Sequence, residues 1–293
     1  MLYNHCSVMV ICGAGTMGTG IAYLAASAGY RVLLYDSKQE ALEKSRLSLG
    51  LTLDQGVAKG KLSVEKQEAI RSLVIHTGNF GDCRAEFCLE AVSEEPSLKG
   101  QLFRQLMELN GPDAVYATNT SSLSVTKMAK MTPFPGRLAG MHFFNPAPVM
   151  KLVEVVHTPM TEREVVLRIT ALARAMNKIP VQSADTPGFI VNRVARPFYL
   201  ESLLLAEQQV TDFTRIDRLL ESTGFPMGPF ALTDLIGQDI NLTVSQSLFA
   251  AFGKAPRFRP SELQRQKVKQ GELGRKTGKG FYLYPAGDLK SPN

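Results

Sequence analysis

Residues 7 to 36 constrain this chain more than any other stretch. Ser7 to Cys12 is a short apolar strand, and Gly13-Ala14-Gly15-Thr16-Met17-Gly18 follows at once. Thr19 to Ala28 is small and apolar, which suits a helix packed close on a sheet. Gly29 ends that helix, and Arg31 to Tyr35 reads as a second strand closed by Asp36. A bare Gly-x-Gly-x-x-Gly is weak, because glycine-rich turns are common. Strand, glycine turn, helix, strand and terminal acid in register describe a dinucleotide-binding βαβ unit. In such a unit Gly13 permits the tight turn, Gly15 lets the backbone approach a pyrophosphate, and Gly18 lets the helix pack on the strand. The helix start at Thr16 and Met17 offers N–H groups and a positive dipole end to phosphates. Asp36 is expected to accept hydrogen bonds from ribose hydroxyls and to repel a 2′-phosphate. NAD is therefore the expected cofactor rather than NADP.

The chain continues in the same style. Residues 37 to 71 have helical spacing interrupted by Gly50, Gly56 and Gly60, which suggests a helical pair with a basic tip at Lys59-Gly60-Lys61. Leu73–His76, Cys88–Val92, Val115–Thr118 and Arg137–Phe144 read as strands, with helices over Lys99–Leu109 and Ser124–Met131 between them. Alternating strands and helices predict an α/β Rossmann-type, doubly wound sheet. Ligands bind such sheets outside the carboxyl ends of the strands. Gly13, Asp36, Glu94, Asn119, Ser121 and His142 all fall at or just after predicted strand ends, so one crevice can collect them.

A second pattern lies at 142–154, His-Phe-Phe-Asn-Pro-Ala-Pro-Val-Met-Lys-Leu-Val-Glu. Two prolines force the backbone out of regular structure, and Leu152 to Val156 then reads as a buried strand. Glu154 stands in the middle of that apolar run. Burying an unpaired charge costs several kcal/mol or more, so Glu154 needs a partner. A returning strand would set it beside His142 and make an acid/base dyad, the carboxylate fixing the imidazole tautomer. A lone histidine beside aromatics is more often a satisfied core residue; the Asn-Pro turn and the later buried acid favour the functional role.

Near Asp185 the pattern changes. Asp185-Thr186-Pro187-Gly188-Phe189 is a turn, and almost everything beyond it has helical periodicity. A long helix is expected over Phe189–Val210, a break at Gly224–Pro229, and helix again over Phe230–Phe252 with Gly237 inside it. The expected domains are 1–184, a Rossmann unit carrying the dyad, and 185–293, an all-α C-terminal domain. The apolar content of the second exceeds what one small domain hides, which suggests a homodimer. The basic, glycine-rich tail 274–282 is expected to fold back as a loop.

Composition removes other classes. No apolar run approaches the ~20 residues of a membrane span, and no signal peptide is visible. Cys6, Cys12, Cys83 and Cys88 lack a metal-binding spacing, and a reducing cytoplasm fits them. The four histidines are scattered, so no metal site is expected. No Gly-x-Ser-x-Gly elbow supports a serine hydrolase. The net charge of +6 suits an anionic ligand such as a nucleotide or coenzyme A. Nucleic acid is disfavoured, because no basic stripe is interleaved with aromatics.

Several motifs together resemble the short form of the L-3-hydroxyacyl-CoA dehydrogenase family. They are Gly-Ala-Gly-Thr-Met-Gly at 13–18, Asn-Thr-Ser-Ser at 119–122, His-Phe-Phe-Asn-Pro at 142–146, Asp-Thr-Pro-Gly-Phe at 185–189 with Asn192-Arg193, and Gly-Arg-Lys-Thr-Gly-Lys-Gly-Phe-Tyr at 274–282. The similarity runs nearly end to end. Residues 194–199, 224–229 and 233–239 look most like the branch acting on 3-hydroxyadipyl-CoA in phenylacetate degradation. The resemblance implies an NAD enzyme interconverting 3-hydroxyacyl-CoA and 3-oxoacyl-CoA, cytoplasmic and bacterial. It implies that His142 is the catalytic base and Glu154 its partner. Ser121 would hydrogen-bond the substrate oxygen, Asn192 would contact the substrate near its thioester, and Asn145 would support the site. Glu94, Lys99 and Asn119 match positions near the nicotinamide half of NAD. Lys59 or Lys61 would meet coenzyme A phosphates, and Arg193 or Arg196 a terminal carboxylate of the acyl group.

Each role has a plainer counterpart. Ser121 can be a helix N-cap, Glu94 can decorate a turn, and Lys99 can be a solvated helix residue. Two whole-protein alternatives also stand: an NAD enzyme acting on a free hydroxy acid, and a non-catalytic NAD-binding protein. The set His142, Glu154, Ser121 and Asn192 argues against the second, since binding alone needs no dyad.

Overall fold

The computed structural model describes residues 7–285, so Cys6 and the two ends of the expected domains lie outside it. The described chain forms two compact units that divide after Thr186.

The first unit is built on eight strands: β1 (Val8–Cys12), β2 (Arg31–Tyr35), β3 (Val74–Thr77), β4 (Phe87–Glu90), β5 (Val115–Thr118), β6 (Leu138–Phe143), β7 (Leu152–His157) and β8 (Ile179–Ala184). Their helices are α1 (Thr16–Ser27), α2 (Gln39–Ala58), α3 (Val64–Leu73), α4 (Pro96–Asn110), α5 (Val125–Ala129) and α6 (Arg163–Ala175). The sheet order is β3-β2-β1-β4-β5-β6-β7-β8. The chain winds outward from β1 in one direction to β3 and then in the other from β4. Strands β1 to β6 are mutually parallel. Strand β7 runs antiparallel to β6, and β8 is parallel to β7. The reason is connection length: residues 144–151 are too few for a crossover, so the chain can only turn back.

The core lies between sheet and helices. Ile11, Leu34, Leu89 and Val155 of the strands meet Ile21, Leu53 and Ile169 of the helices, all essentially without exposure. Their continuous apolar runs reflect burial on both faces. The helix at 163–175 and the strand at 179–184 are not among the sequence expectations. Ile179-Pro180 opens β8, and proline is a poor strand signal, but β8 is the sheet edge, where a missing N–H donor is tolerated.

The second unit is helical, as expected: α7 (Val191–Glu207), α8 (Phe213–Ser222), α9 (Pro229–Ile236), α10 (Gln238–Ala251) and α11 (Glu262–Lys269). The expected single helix over Phe230–Phe252 is corrected. Gly237 has φ of 105° and separates α9 from α10, because that backbone conformation cannot continue a helix. Leu200, Leu203, Ile216 and Phe230 form the core, with Phe213, Phe281 and Tyr282 packed on it. The tail does fold back as a loop. Its anchor is Asp234, 1% exposed, which accepts Gln238 Nε2 at 2.7 Å, the N–H groups of Phe281 and Tyr282 at 3.0 and 2.9 Å, and the Tyr284 hydroxyl at 3.0 Å. A side chain at Gly274 or Gly280 would collide with Asp234, which explains the glycines in the tail. No helix among the described residues is long and apolar enough to cross a membrane.

Asp234→Ala would remove the one carboxylate that four donors share. We expect a loss of about 3 kcal/mol or more of stability, read as a lowered urea midpoint. A midpoint within error of wild type would show that water replaces the carboxylate.

Candidate active site

The parallel run from β1 to β6 brings its carboxyl ends to one edge, and the candidate residues follow from it. Gly13 succeeds β1, Asp36 succeeds β2, Asn119 succeeds β5, and His142 lies one residue before the end of β6.

The glycine turn has the properties its sequence demands. Gly13 has φ of 107°, and a Cβ there would come within 2.5 Å of the Ala91 carbonyl oxygen. A Cβ on Gly18 would collide with the Gly13 carbonyl, so helix and turn pack backbone to backbone. Gly15 is different: a Cβ there would meet nothing within 4 Å. The fold itself does not require that glycine, and the open space over it suits a ligand approaching the backbone. Thr16 begins α1 and is exposed, with Met17 half-buried beside it. A cleft of about 600 Å³ includes Gly13, Gly15, Tyr35, Asp36 and Val92 in its lining. Asp36 accepts the Ala14 N–H on one oxygen and the Lys38 N–H on the other, both at 2.9 Å. A carboxylate has further acceptor positions beyond those two, which ribose hydroxyls can take. These residues fit an NAD molecule, with the pyrophosphate over Gly15 and the helix N-terminus.

The dyad is a register pair. In the antiparallel β6–β7 ladder His142 lies opposite Glu154. Directly opposed residues share a face of the sheet, so their side chains meet. His142 Nδ1 and Glu154 Oε2 are 2.7 Å apart, at 5% and 0% residue exposure. A carboxylate only accepts, so Nδ1 carries the proton and Nε2 is the basic nitrogen. The ring of Phe144 packs 4.5 Å from the imidazole. Asn145, exposed, follows Phe144 and is joined to Pro146 by a cis peptide bond.

Glu94 and Lys99 are not the turn decoration and solvated residue that plainer readings made them. Lys99 is 1% exposed, and its ammonium lies 2.8 Å from Glu90 and 2.9 Å from Glu94. The Lys99 ammonium thus joins two carboxylates, one at the end of β4 and one in the connection after it. Glu94 accepts the Thr120 hydroxyl at 2.5 Å and the N–H groups of Ser121 and Ser122 at 3.1 and 3.3 Å. Burial pushes its pKa up, but Lys99 and these hydrogen bonds outweigh burial and hold it below the usual carboxylate range. Asn119 turns its amide oxygen to the N–H of Phe143 at 2.9 Å, tying the end of β5 to the residue after His142. Ser121 is not the N-cap of α5. Ser124 is, accepting the Lys127 N–H at 3.2 Å.

Other expected residues stand elsewhere. Lys59 and Lys61 are exposed at the tip between α2 and α3, as the basic hairpin predicts. Asn192 is in the second unit, in the first turn of α7, where its carbonyl accepts Arg196 Nε at 3.2 Å. Arg196 is corrected as a reader of a terminal carboxylate. It is 3% exposed, and its guanidinium is taken up by Asn241 and by the Ser245 hydroxyl. Burial lowers its pKa to about 10. Arg193 is exposed and lies over the Phe252 ring at 4.8 Å. Glu90 and Thr118 escaped the sequence reading. The signal was present in Glu90, an acid ending an apolar strand, the same signal that marked Glu154.

Comparison with known proteins agrees with this geometry. The family model described as "3-hydroxyacyl-CoA dehydrogenase, NAD binding domain" matches residues 8–186, and that described as "3-hydroxyacyl-CoA dehydrogenase, C-terminal domain" matches residues 188–284. The 3-hydroxyadipyl-CoA dehydrogenase of Escherichia coli (strain K12) is 47% identical over 288 residues, covering 98% of this chain and 60% of that protein. The chain thus spans about three fifths of that relative's length. A probable 3-hydroxybutyryl-CoA dehydrogenase of Bacillus subtilis (strain 168) is 38% identical over 278 residues, 94% of this chain and 96% of the relative. The crystal structure of a 3-hydroxybutyryl-CoA dehydrogenase from Escherichia coli K12 superposes with a TM-score of 0.93 at 45% identity, covering 96% of this chain and 60% of that one.

Asp36→Asn keeps an acceptor for the Ala14 N–H and removes the charge. NADH binding, followed by the cofactor's own emission, should weaken about tenfold or more, and discrimination against NADPH should shrink. Unchanged values for both would remove Asp36 from the ribose site.

Proposed function

We propose, from the premise that this chain belongs to the 3-hydroxyacyl-CoA dehydrogenase family, that it interconverts (S)-3-hydroxyacyl-CoA and 3-oxoacyl-CoA. The observation that carries this reading is the buried 2.7 Å contact between His142 Nδ1 and Glu154. A carboxylate-oriented imidazole is a general base, and the carboxylate stabilises the imidazolium that forms.

In the oxidative direction His142 Nε2 takes the proton of the substrate 3-hydroxyl. Bound NAD supplies the acceptor for the hydride that leaves C3. As the C–O bond gains double-bond character, Glu154 opposes the positive charge gathered on the imidazole. In the reverse direction the imidazolium returns its proton to the carbonyl oxygen. Ser121 is assigned a hydrogen bond to that same oxygen, and its backbone is already fastened to Glu94. Asn192 takes its role, a contact near the thioester carbonyl, from the motif match. Lys59 and Lys61, exposed at the hairpin tip, are assigned to coenzyme A phosphates.

Among acyl groups we favour 3-hydroxyadipyl-CoA, in phenylacetate catabolism in a bacterial cytoplasm. Support comes from the motifs at 194–199, 224–229 and 233–239 and from the 47% identity to a protein named for that substrate. With Arg196 occupied, Arg193 is the remaining arginine of the motif available to a terminal carboxylate. We also assign a homodimer to the helical unit, supported by Leu204, Val210, Leu219 and Phe225, all large, apolar and exposed there.

NADH oxidation by purified protein tests the reading with acetoacetyl-CoA, 3-oxoadipyl-CoA and free acetoacetate. Turnover is expected with the esters, faster with 3-oxoadipyl-CoA, and not with the free acid. Turnover with the free acid alone would reassign the protein to free hydroxy acids, and no turnover with intact NADH binding would leave a binding protein. His142→Gln should lose about 100-fold or more in kcat while NADH affinity stays near wild type. Normal turnover in that variant would sink the dyad.

A further inference from the structure

Glu90 ends β4 with 0% exposure. An unpaired carboxylate at that depth would be strongly destabilising. This one is met by donors from three directions. The Val92 N–H lies 2.7 Å from Oε1, the Lys99 ammonium 2.8 and 3.0 Å from the two oxygens, and the Thr118 hydroxyl 2.7 Å from Oε2. The backbone carbonyl of Glu90 also accepts the Asn119 N–H at 2.8 Å. Glu90 thus grips the end of β5 by both main chain and side chain.

Two routes leave this residue. One runs through Lys99 to Glu94, and from Glu94 to the Thr120 hydroxyl and the Ser121 N–H. The other runs through Thr118 and Asn119 to the Phe143 N–H, the peptide directly after His142. Every link is within hydrogen-bond distance, and Glu90, Lys99, Thr118 and Thr120 are all buried.

We propose that Glu90 is a positioning residue of the active site, which sets Ser121 on one side and the end of β6 carrying His142 on the other. The consequence for turnover rests on the dehydrogenase reading above; the consequence for local order does not. In that reading Ser121 and His142 address the same substrate oxygen, so their spacing is critical. A misplacement of about 1 Å costs on the order of 100-fold in rate. Glu90 touches neither substrate nor cofactor in this scheme. It acts through Lys99, Glu94, Thr118 and Asn119.

The test is Glu90→Gln, which preserves shape and the acceptor for Thr118 but removes the charge held against Lys99. Thr118→Val is the second variant, removing one hydroxyl at constant volume should the first fail to fold. Hydrogen exchange of the backbone over 119–124 should quicken in both variants, more in Glu90→Gln, while β1 keeps wild-type protection. For Glu90→Gln, kcat on the preferred 3-oxoacyl-CoA should fall about 10- to 100-fold, with KM changed less than threefold. Wild-type exchange and wild-type kcat in both variants would overturn the proposal. Exchange that rises evenly across the whole sheet would overturn it too, by assigning Glu90 to general stability. A loosened 119–124 segment in a protein that turns over none of the esters would support the positioning role and remove the dehydrogenase reading instead.

Discussion

The cost of burying a charge organises this molecule. Two carboxylates, Glu90 and Glu154, are fully buried in the sheet. Neither can stay ionised there without donors, and the donors come from neighbouring elements. Glu154 takes its partner across the β6–β7 ladder, and Glu90 takes Lys99 from α4 and Thr118 from β5. Burial pushes the Glu90 pKa up, and the Lys99 charge opposes the rise. Such groups are costly relative to an apolar core and stabilise little on balance. Their effect is on geometry: a buried carboxylate that must satisfy several donors leaves few alternative arrangements for the loops that carry them.

Topology decides where this geometry is useful. Six parallel strands align their carboxyl ends, and the glycine turn, Asp36, Asn119 and His142 all stand along that edge. The reversal at β7 adds what parallel strands cannot. A parallel neighbour would arrive only after a long crossover, whereas the turn at 144–151 returns the chain at once and sets Glu154 opposite His142. The Asn-Pro-Ala-Pro segment is therefore the element that turns a histidine at a strand end into a dyad.

Much of this was legible in the sequence, and the parts that were not have physical reasons. Strand–turn–helix periodicity located β1, α1 and β2, and an acid in an apolar run located Glu154. The same rule applied to Phe87-Cys88-Leu89-Glu90 would have located Glu90, but its partner Lys99 reads as a surface helix residue until the tertiary fold turns it inward. Lys99 is thus a buried partner of two carboxylates rather than a solvated helix residue. Arg196 is likewise buried, and helical spacing does not reveal that Asn241 and Ser245 surround it. Gly237 does not announce the break between α9 and α10, because a glycine inside a helical pattern costs only about 1 kcal/mol relative to alanine and its φ of 105° leaves no trace in the pattern. Strand β8 is hidden in the sequence because Pro180 reads as a breaker, and only its place at the sheet edge permits it.

The division between the units falls one residue after Asp185, and that residue has a function of its own. Its carboxylate accepts the Ser124 hydroxyl at 2.9 Å and the Thr126 N–H at 2.7 Å. It therefore supplements Ser124 as a cap on α5, at the end where a negative charge is favoured by the exposed N–H groups and the helix dipole. The segment it fastens begins just after Ser121 and Ser122, which Glu94 holds from the other side. The Ser121 loop is thus pinned at both ends by carboxylates, one from the connection after β4 and one from the exit of the first unit. Asp185-Thr186-Pro187-Gly188-Phe189 is in sequence only a turn. In the fold its first residue fastens the far end of the Ser121 loop, and later residues of the turn, with φ of 74° at Gly188 and 49° at Phe189, take the chain into α7.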